Sequence, residues 1–153
     1  MKRIAFTLML AIALPALADR VPLPANTPAS YKAECSSCHM AYQPALLSAN
    51  DWRRTMAGLK DHFGTDATVD GPQRQEISAF LERNAGDAGK LGSAGEPPRI
   101  TQTARFIRKH REIAPKYWND PRIKSAANCE ACHRGAADGN YSEHDILIRE
   151  LRR

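Results

Sequence analysis

The sequence predicts a mostly α-helical fold with long loops, built around something besides its own side chains. Several segments carry apolar residues at helical spacing, and none alternates convincingly as a strand would. Aromatic residues are few, with four Phe, two Trp and four Tyr in 153 residues, and each apolar stripe is narrow. A small domain with so thin a core usually relies on a cross-link, a metal or a cofactor.

The N-terminal half contains three predicted helices. Thr27 and Pro28 are typical of a helix start and predict a short helix that leads into Cys35. The next helix runs from an N-cap at Asp51 to a stop at Gly64, with an apolar stripe of Trp52, Met56, Leu59 and Phe63. The third ends near Asn84 to Gly86 and places three apolar residues on one face, namely Ile77, Phe80 and Leu81.

The C-terminal half contains two more predicted helices. The first carries a stripe of Phe106, Ile107, His110 and Ile113 or Ala114, and Pro115 is expected to end it. The second begins at Ser142, where Asp145 completes a spacing like that of a capping box. Residues 86–98 are rich in Gly, Ala and Pro and predict a linker between halves 19–85 and 99–153.

The first 18 residues have the features of a secretion signal. A short basic start precedes an apolar run, and small residues before Asp19 form a cleavage site. The apolar run is short for a membrane span, although an uncleaved anchor is an alternative. We expect residues 19–153 to form one exported domain, periplasmic in a bacterium, with no membrane span of its own.

Charge is distributed unevenly over residues 19–153. Residues 19–98 carry 8 basic and 10 acidic side chains, whereas residues 99–153 carry 12 basic and 7 acidic ones. The cationic C-terminal half is either an ordinary solvated surface or a docking patch for a partner, and composition does not separate the two.

All four cysteines belong to two Cys-x-x-Cys-His motifs, the attachment signature of haem c. Two thiols bond the porphyrin and the adjacent imidazole binds its iron. Three alternatives explain the motifs less well. A set of disulfides does not require a histidine after each second cysteine. A thioredoxin-like redox pair would lie between a strand and a helix, which this sequence does not predict, and a four-cysteine zinc site would not explain the two histidines. We therefore predict two haems, held by Cys35, Cys38 and His39 and by Cys129, Cys132 and His133.

Each iron has a second axial position, for which the chain offers few residues. His62 and His110 lie on or beside predicted apolar stripes, and we predict that they are the distal ligands. Three other residues are not expected to bind an iron. Met40 directly follows His39 and cannot comfortably reach the opposite face of the same haem, Met56 is expected to pack in the core, and His144 is expected on the surface. His39 and His62 are 23 residues apart, as are His110 and His133, so local pairing is the simplest assignment. Crossed pairing between the halves stays open.

Two imidazoles saturate an iron and leave a low-spin centre that changes oxidation state without binding substrate. Replacing a thioether by an imidazole also removes the ligand that raises the potential of His/Met cytochromes, so we predict low-potential haems and an electron-transfer role rather than an enzyme. An enzyme or gas sensor with one open axial site is an alternative, which would follow if His62 or His110 were structural.

Three stretches, "YKAECSSCHMAYQPALL", "DWRRTMAGLKDHFG" and "SAANCEACHRGAADGNYSEHDI", together resemble the bacterial dihaem cytochrome c family. The resemblance implies a mostly helical periplasmic protein with two covalently bound haems and bis-histidine ligation. By matching position it implies His39 and His133 as proximal ligands, and His62 and His110 as distal ligands.

The resemblance also implies redox proteins as partners, with no role in nucleic-acid binding. Similar proteins donate electrons to a small oxygen-binding monohaem cytochrome c and often accompany a membrane b-type cytochrome. An alternative partner follows from a second likeness, because the small dihaem subunit of a periplasmic nitrate reductase is similar in size and ligation.

Overall fold

The computed structural model describes residues 19–151, so the predicted secretion signal, residues 1–18, lies outside the described residues. Over 19–151 the regular structure is six α-helices and several 3₁₀ turns, and the β pairing consists of isolated bridges. This confirms the mostly α-helical prediction. The helices are α1 (Ala29–Cys35), α2 (Ala49–Ala57), α3 (Gly71–Arg83), α4 (Ala88–Leu91), α5 (Ala104–His110) and α6 (Pro115–Trp118).

The larger hydrophobic core lies in the N-terminal half, where α1 and α2 pack against α3. Ile77 and Phe80 on α3 are fully buried, and the Tyr31 ring of α1 lies 5.1 Å from the Phe80 ring. Trp52 on α2 is buried and its indole nitrogen donates to the Pro44 carbonyl at 2.7 Å. The predicted apolar face of α3 is therefore correct.

Helix α2 is displaced from its predicted bounds at both ends. The N-cap is Ser48, whose hydroxyl accepts a hydrogen bond from the Asp51 backbone N–H, so Asp51 lies in the first turn. The helix ends at Ala57 because Gly58, a poor helix former, caps it. The chain continues as the 3₁₀ turn Leu59–Asp61, and His62 follows that turn instead of lying on a helix.

The prediction that Pro115 ends a helix is wrong. Helix α5 stops at His110, and Pro115 is the first residue of α6, a position where the fixed φ of proline and its missing N–H are tolerated. Ile107, predicted on the buried stripe of α5, is 58% exposed. No residue of α5 is fully buried, and Phe106 and His110 are half-buried, so the predicted stripe is only partly covered.

The predicted C-terminal helix is also wrong. Residues 143–151 form two 3₁₀ turns, Glu143–Asp145 and Arg149–Leu151, on either side of an extended stretch. Ile146 pairs with His133 in a β-bridge, and the Leu147 N–H donates to the Cys132 carbonyl at 2.8 Å. Ile146 and Ile148 are buried beside Ile123 in a second, small core. The backbone pairing of Ile146 and Leu147 with the second Cys-x-x-Cys-His motif therefore replaces the helix that the capping pattern predicted.

The segment 86–98 packs against the N-terminal half. It contains α4, and its Leu91 and Ala94 are buried. The Gly86 N–H donates to the Leu47 carbonyl at 2.9 Å, and a Cβ at Gly86 would lie 2.3 Å from the Ala45 carbonyl oxygen. Only glycine permits so close an approach of the two backbones.

Candidate haem sites

The N-terminal site brings His39 and His62 together, with ring centres 6.3 Å apart. His39 Nδ1 donates to the Met40 carbonyl at 2.7 Å, which orients the ring and leaves Nε2 for a metal. His62 is held by a tight turn, in which its N–H and carbonyl both bond Thr65. The next residue, Phe63, has a φ of 54°. This left-handed conformation is uncommon for an aromatic residue, and it contributes to the tight turn.

The C-terminal site brings His110 and His133 together, with ring centres 6.1 Å apart. His110 Nδ1 donates to the Phe106 carbonyl at 2.9 Å, and the two rings stack at 4.0 Å. His133 Nδ1 is buried without a hydrogen-bond partner, although the Ser142 backbone lies near enough to favour the protonated ring. Trp118 lies 5.9 Å from the His110 ring and closes that side.

Both ring separations fit a single metal bound between two imidazoles. A bond of about 2.0 Å from nitrogen to metal, and about 1.1 Å from that nitrogen to the ring centre, place two opposed ring centres about 6.2 Å apart. The observed values are 6.3 and 6.1 Å. The histidine pairs that lie close are the local ones, and the donor set therefore fits an axial bis-histidine iron in each half.

The four thiols are not joined in disulfides. Cys35, Cys129 and Cys132 are half-buried, whereas Cys38 is exposed. Burial raises the pKa of Cys35 to about 11 and that of Cys129 to about 11, and it also raises the pKa of Cys132. Each pair of thiols directly precedes its histidine in the sequence, and thioether attachment of a porphyrin requires two cysteines that are not joined to each other.

The two sites differ in enclosure. A cavity of about 410 Å³ adjoins His110, His133 and both cysteines of the second motif. Its apolar wall suits a large apolar macrocycle and includes Phe106, Ile113, Trp118, Ile123 and Ile146. At the N-terminal site His39 is exposed and His62 is half-buried.

Burial lowers the pKa of His62, His110 and His133 below the usual histidine range. Neighbouring histidines add to this effect at His62 and His133. The neutral imidazole is the form that coordinates a metal, so the protein environment favours the coordinating state.

The residues not chosen as ligands lie elsewhere. Met56 is buried in the N-terminal core and Met40 is buried directly behind His39. His144 is exposed on the turn that follows Ser142.

Three residues that lie near the motifs were not identified as part of the site from the sequence. The Tyr42 ring lies 4.8 Å from the His39 ring, and the Tyr141 ring lies 5.5 Å from the His133 ring. Gln43, between them in space, is fully buried. Tyr42 was part of the family resemblance, but its role at the site was not predicted. All three residues contact parts of the chain that are distant in sequence, and no local pattern predicts such contacts.

No helix among residues 19–151 is long and apolar enough to cross a membrane. A search of curated proteins finds no match.

Comparison with protein families and solved structures identifies relatives that cover most of the chain. Residues 31–141 match the family "Dihaem cytochrome c". A diheme cytochrome c from Rhodobacter sphaeroides is 38% identical, with a TM-score of 0.67 over 78% of this chain and 98% of that chain. Another structure of a dihaem cytochrome c from Rhodobacter sphaeroides is 43% identical, with a TM-score of 0.64 over 74% of this chain and 96% of that chain.

A diheme cytochrome c from Shewanella baltica is 38% identical, with a TM-score of 0.70 over 80% of this chain and 94% of that chain. The prediction of two haems and of a helical cytochrome fold is confirmed. The chain belongs to the dihaem cytochrome c family, and it is accordingly a haem-based electron-transfer protein with two covalently bound haem c groups.

Proposed function

We propose that this chain is a periplasmic electron carrier with two low-potential bis-histidine haems. The proposed ligands are His39 and His62 for one iron and His110 and His133 for the other. The observation that carries the proposal is the pair of ring separations, 6.3 and 6.1 Å, each of which is close to the separation that two imidazoles bound to one metal would have. When bound, each haem supplies an iron that alternates between the ferric and ferrous states.

The protein residues hold and orient these groups. Cys35 and Cys38 would attach one porphyrin, and Cys129 and Cys132 the other. The hydrogen bonds from His39 to the Met40 carbonyl and from His110 to the Phe106 carbonyl fix the ring planes. Such bonds also make an imidazole a stronger electron donor, which favours the oxidised metal and supports a low potential.

Local pairing is the assignment that the distances favour. The rings of His39 and His62 lie 6.3 Å apart, and those of His110 and His133 lie 6.1 Å apart. Each half then carries one complete iron site, and a crossed arrangement would require the loop at His62 and helix α5 to exchange positions. We therefore propose halves 19–85 and 99–153 as two haem-binding units joined through residues 86–98.

The surface around the second site suits a partner with an acidic face. Residues 105–111 contain four cationic residues and no acidic one. Two of these cations are paired, Lys109 with Asp19 at 3.0 Å and Arg111 with Glu112 at 3.4 Å. Ile107 is exposed among them, as an apolar contact would be in a transient interface.

Family resemblance supports specific partners for this surface. We propose an oxygen-binding monohaem cytochrome c as electron acceptor and a membrane b-type cytochrome as donor. Docking between a cationic and an acidic face accelerates encounter and weakens as salt rises. Electron transfer to the acceptor should therefore slow with increasing ionic strength.

Optical and EPR spectra of the purified protein, oxidised and reduced, test the ligand set. We expect two low-spin haems, no long-wavelength band of methionine-ligated ferric haem, and no change with carbon monoxide. His62→Ala and His110→Ala should each convert one haem to a species that binds carbon monoxide, and His144→Ala should leave the spectra unchanged. A carbon monoxide complex in the unmodified protein would refute bis-histidine ligation.

A further inference from the structure

The amide of Gln43 connects the two halves of the chain through three hydrogen bonds, of which the one to the Ala136 carbonyl is buried. Its side chain is fully buried, and its nitrogen donates to the Ala136 carbonyl at 2.9 Å and the Ala137 carbonyl at 3.2 Å. Its oxygen accepts from the Tyr141 hydroxyl. All three partners belong to the other half of the chain, 93 to 98 residues away.

These partners adjoin the second haem motif. Ala136 and Ala137 follow His133 by three and four residues, and the Tyr141 ring lies edge-on to the His133 ring at 5.5 Å. The Gln43 amide therefore holds both the backbone that leaves the second motif and the aromatic ring that packs on its histidine.

The residue before Gln43 makes the matching contacts to the first motif. The Tyr42 ring lies 4.8 Å from the His39 ring, and its hydroxyl donates to the Ala127 carbonyl at 2.7 Å. Ala127 precedes Cys129 by two residues. The dipeptide Tyr42-Gln43 thus joins the histidine of the first motif to both sides of the second motif.

We propose that Gln43 is a positioning residue that sets the relative placement of the two haems and, through it, the redox interaction between them. The proposal rests on the ligand set given above. Gln43 touches neither predicted metal site, and it acts through Tyr42, Tyr141 and the backbone around His133.

The chemistry of the side chain explains why an amide occupies this place. Two carbonyls require a donor and the tyrosine hydroxyl requires an acceptor, and Gln supplies both on one planar group. A carboxylate would present a second acceptor to the two carbonyls, and a Leu side chain would leave the buried Ala136 carbonyl and the Tyr141 hydroxyl without the partners that Gln43 supplies.

A dry, fixed contact between the halves has an electrostatic consequence. The reduction of one iron changes the charge that the other iron experiences, and that interaction varies inversely with distance and with the effective dielectric constant. Loss of the Gln43 bonds would let water enter and the halves separate, so the interaction would fall, to about half if the effective dielectric constant doubles.

The test measures the redox interaction, defined as the shift in the potential of one haem caused by reduction of the other. A potentiometric titration followed by NMR or EPR resolves this quantity from the two separate potentials. We expect Gln43→Leu and Gln43→Glu to lower it while both haems stay low-spin. Gln75→Leu, the same chemical change at an exposed site on α3, is the matched control and should leave it unchanged.

Two further variants keep the proposal refutable. Tyr141→Phe removes only the hydroxyl that donates to Gln43, so it should lower the interaction even if Gln43→Leu fails to fold with both haems. Ile77→Val loosens the N-terminal core without changing the contact between the halves, so it should leave the redox interaction unchanged. If Gln43 acted only through overall stability, Ile77→Val would lower the redox interaction as Gln43→Leu does.

A double-variant cycle checks whether both residues act through the same bond. The effects of Gln43→Glu and Tyr141→Phe should be less than additive when combined. An unchanged redox interaction in low-spin Gln43→Glu and Tyr141→Phe would overturn the proposal and leave the ligand set intact. A high-spin signal in the unmodified protein would instead overturn the ligand set.

Discussion

The two halves of the molecule each bring a Cys-x-x-Cys-His motif close to a second histidine, but with opposite distributions of apolar side chains. The N-terminal half has a packed core of three helices around Ile77 and Phe80, beside a site whose His39 is exposed. The C-terminal half has a small core of Ile123, Ile146 and Ile148 beside an enclosed cavity of about 410 Å³. The half with less core thus offers the more enclosed cofactor site, so its stability should depend more on the haem.

Removal of the cysteines tests this difference and should have the largest effect. In Cys129→Ala/Cys132→Ala the second haem loses its covalent attachment, and the C-terminal half, with three core isoleucines, should lose most of its ordered structure. Amide hydrogen exchange should show loss of protection over residues 104–151, and mass spectrometry should find one haem.

Cys35→Ala/Cys38→Ala is the matched control in the other half. The first haem should be lost while α2 and α3 keep their protection, because Phe80, Leu81 and Trp52 pack without it. Equal loss of protection in both double variants would show that the two halves depend equally on their haems.

Phe80→Ala measures the contribution of the N-terminal core. Phe80 is fully buried against Tyr31, so we expect a loss of about 3–5 kcal/mol in the free energy of unfolding, measured by denaturant titration of the haem-containing protein. Ile107→Ala on α5, where the side chain is 58% exposed, should change it by no more than about 0.5 kcal/mol.

Carbon monoxide association compares access to the two irons. In His62→Ala the opened site lies beside exposed His39 and Cys38, whereas in His110→Ala it lies within the enclosed cavity. Flash photolysis should therefore give a severalfold faster association rate for His62→Ala. Faster association in His110→Ala would contradict the difference in enclosure.

Asp51→Asn should have a smaller effect on stability than Phe80→Ala, and it adds a pH dependence. Burial raises the pKa of Asp51, but hydrogen bonds from Ser48 and Arg54 outweigh burial and hold it below the usual range. The ionised side chain therefore stabilises the fold above the ordinary carboxyl pKa of about 4, and that stabilisation is lost as the pH falls through the lowered folded value.

The expected loss for Asp51→Asn is about 1–2 kcal/mol at pH 7, and the difference from the unmodified protein should disappear at acid pH. Denaturant titrations at several pH values measure it. A difference that persists at low pH would mean that packing, not charge, explains the loss.

Local patterns predicted those features whose causes are neighbours in the sequence. The Cys-x-x-Cys-His motifs place three reactive groups within five residues, and the 3.6-residue period of Ile77, Phe80 and Leu81 predicted the buried face of α3. The interpretation of His62 and His110 as distal ligands, which stays a prediction, also followed from apolar neighbours, although His62 lies just after a 3₁₀ turn and not on the predicted helix.

The errors arose where distant residues override local preference. Ser142 and Asp145 have the spacing of a capping box, yet only the 3₁₀ turn Glu143–Asp145 forms there, because Ile146 and Leu147 pair with the backbone at His133 and Cys132. Pro115 signalled a helix end and instead begins α6. A single sequence contains no record of such pairings.

The sequence by itself determined the cofactor class and the helical character of the chain, because each depends on groups within one or two helical turns of one another. The tertiary structure decided which site is enclosed, how the second motif pairs with the C-terminal segment, and that a buried glutamine joins the two halves. Those features depend on contacts such as Tyr42 with Ala127 and Gln43 with Tyr141, between residues 85 and 98 positions apart. Only the folded chain brings such residues together.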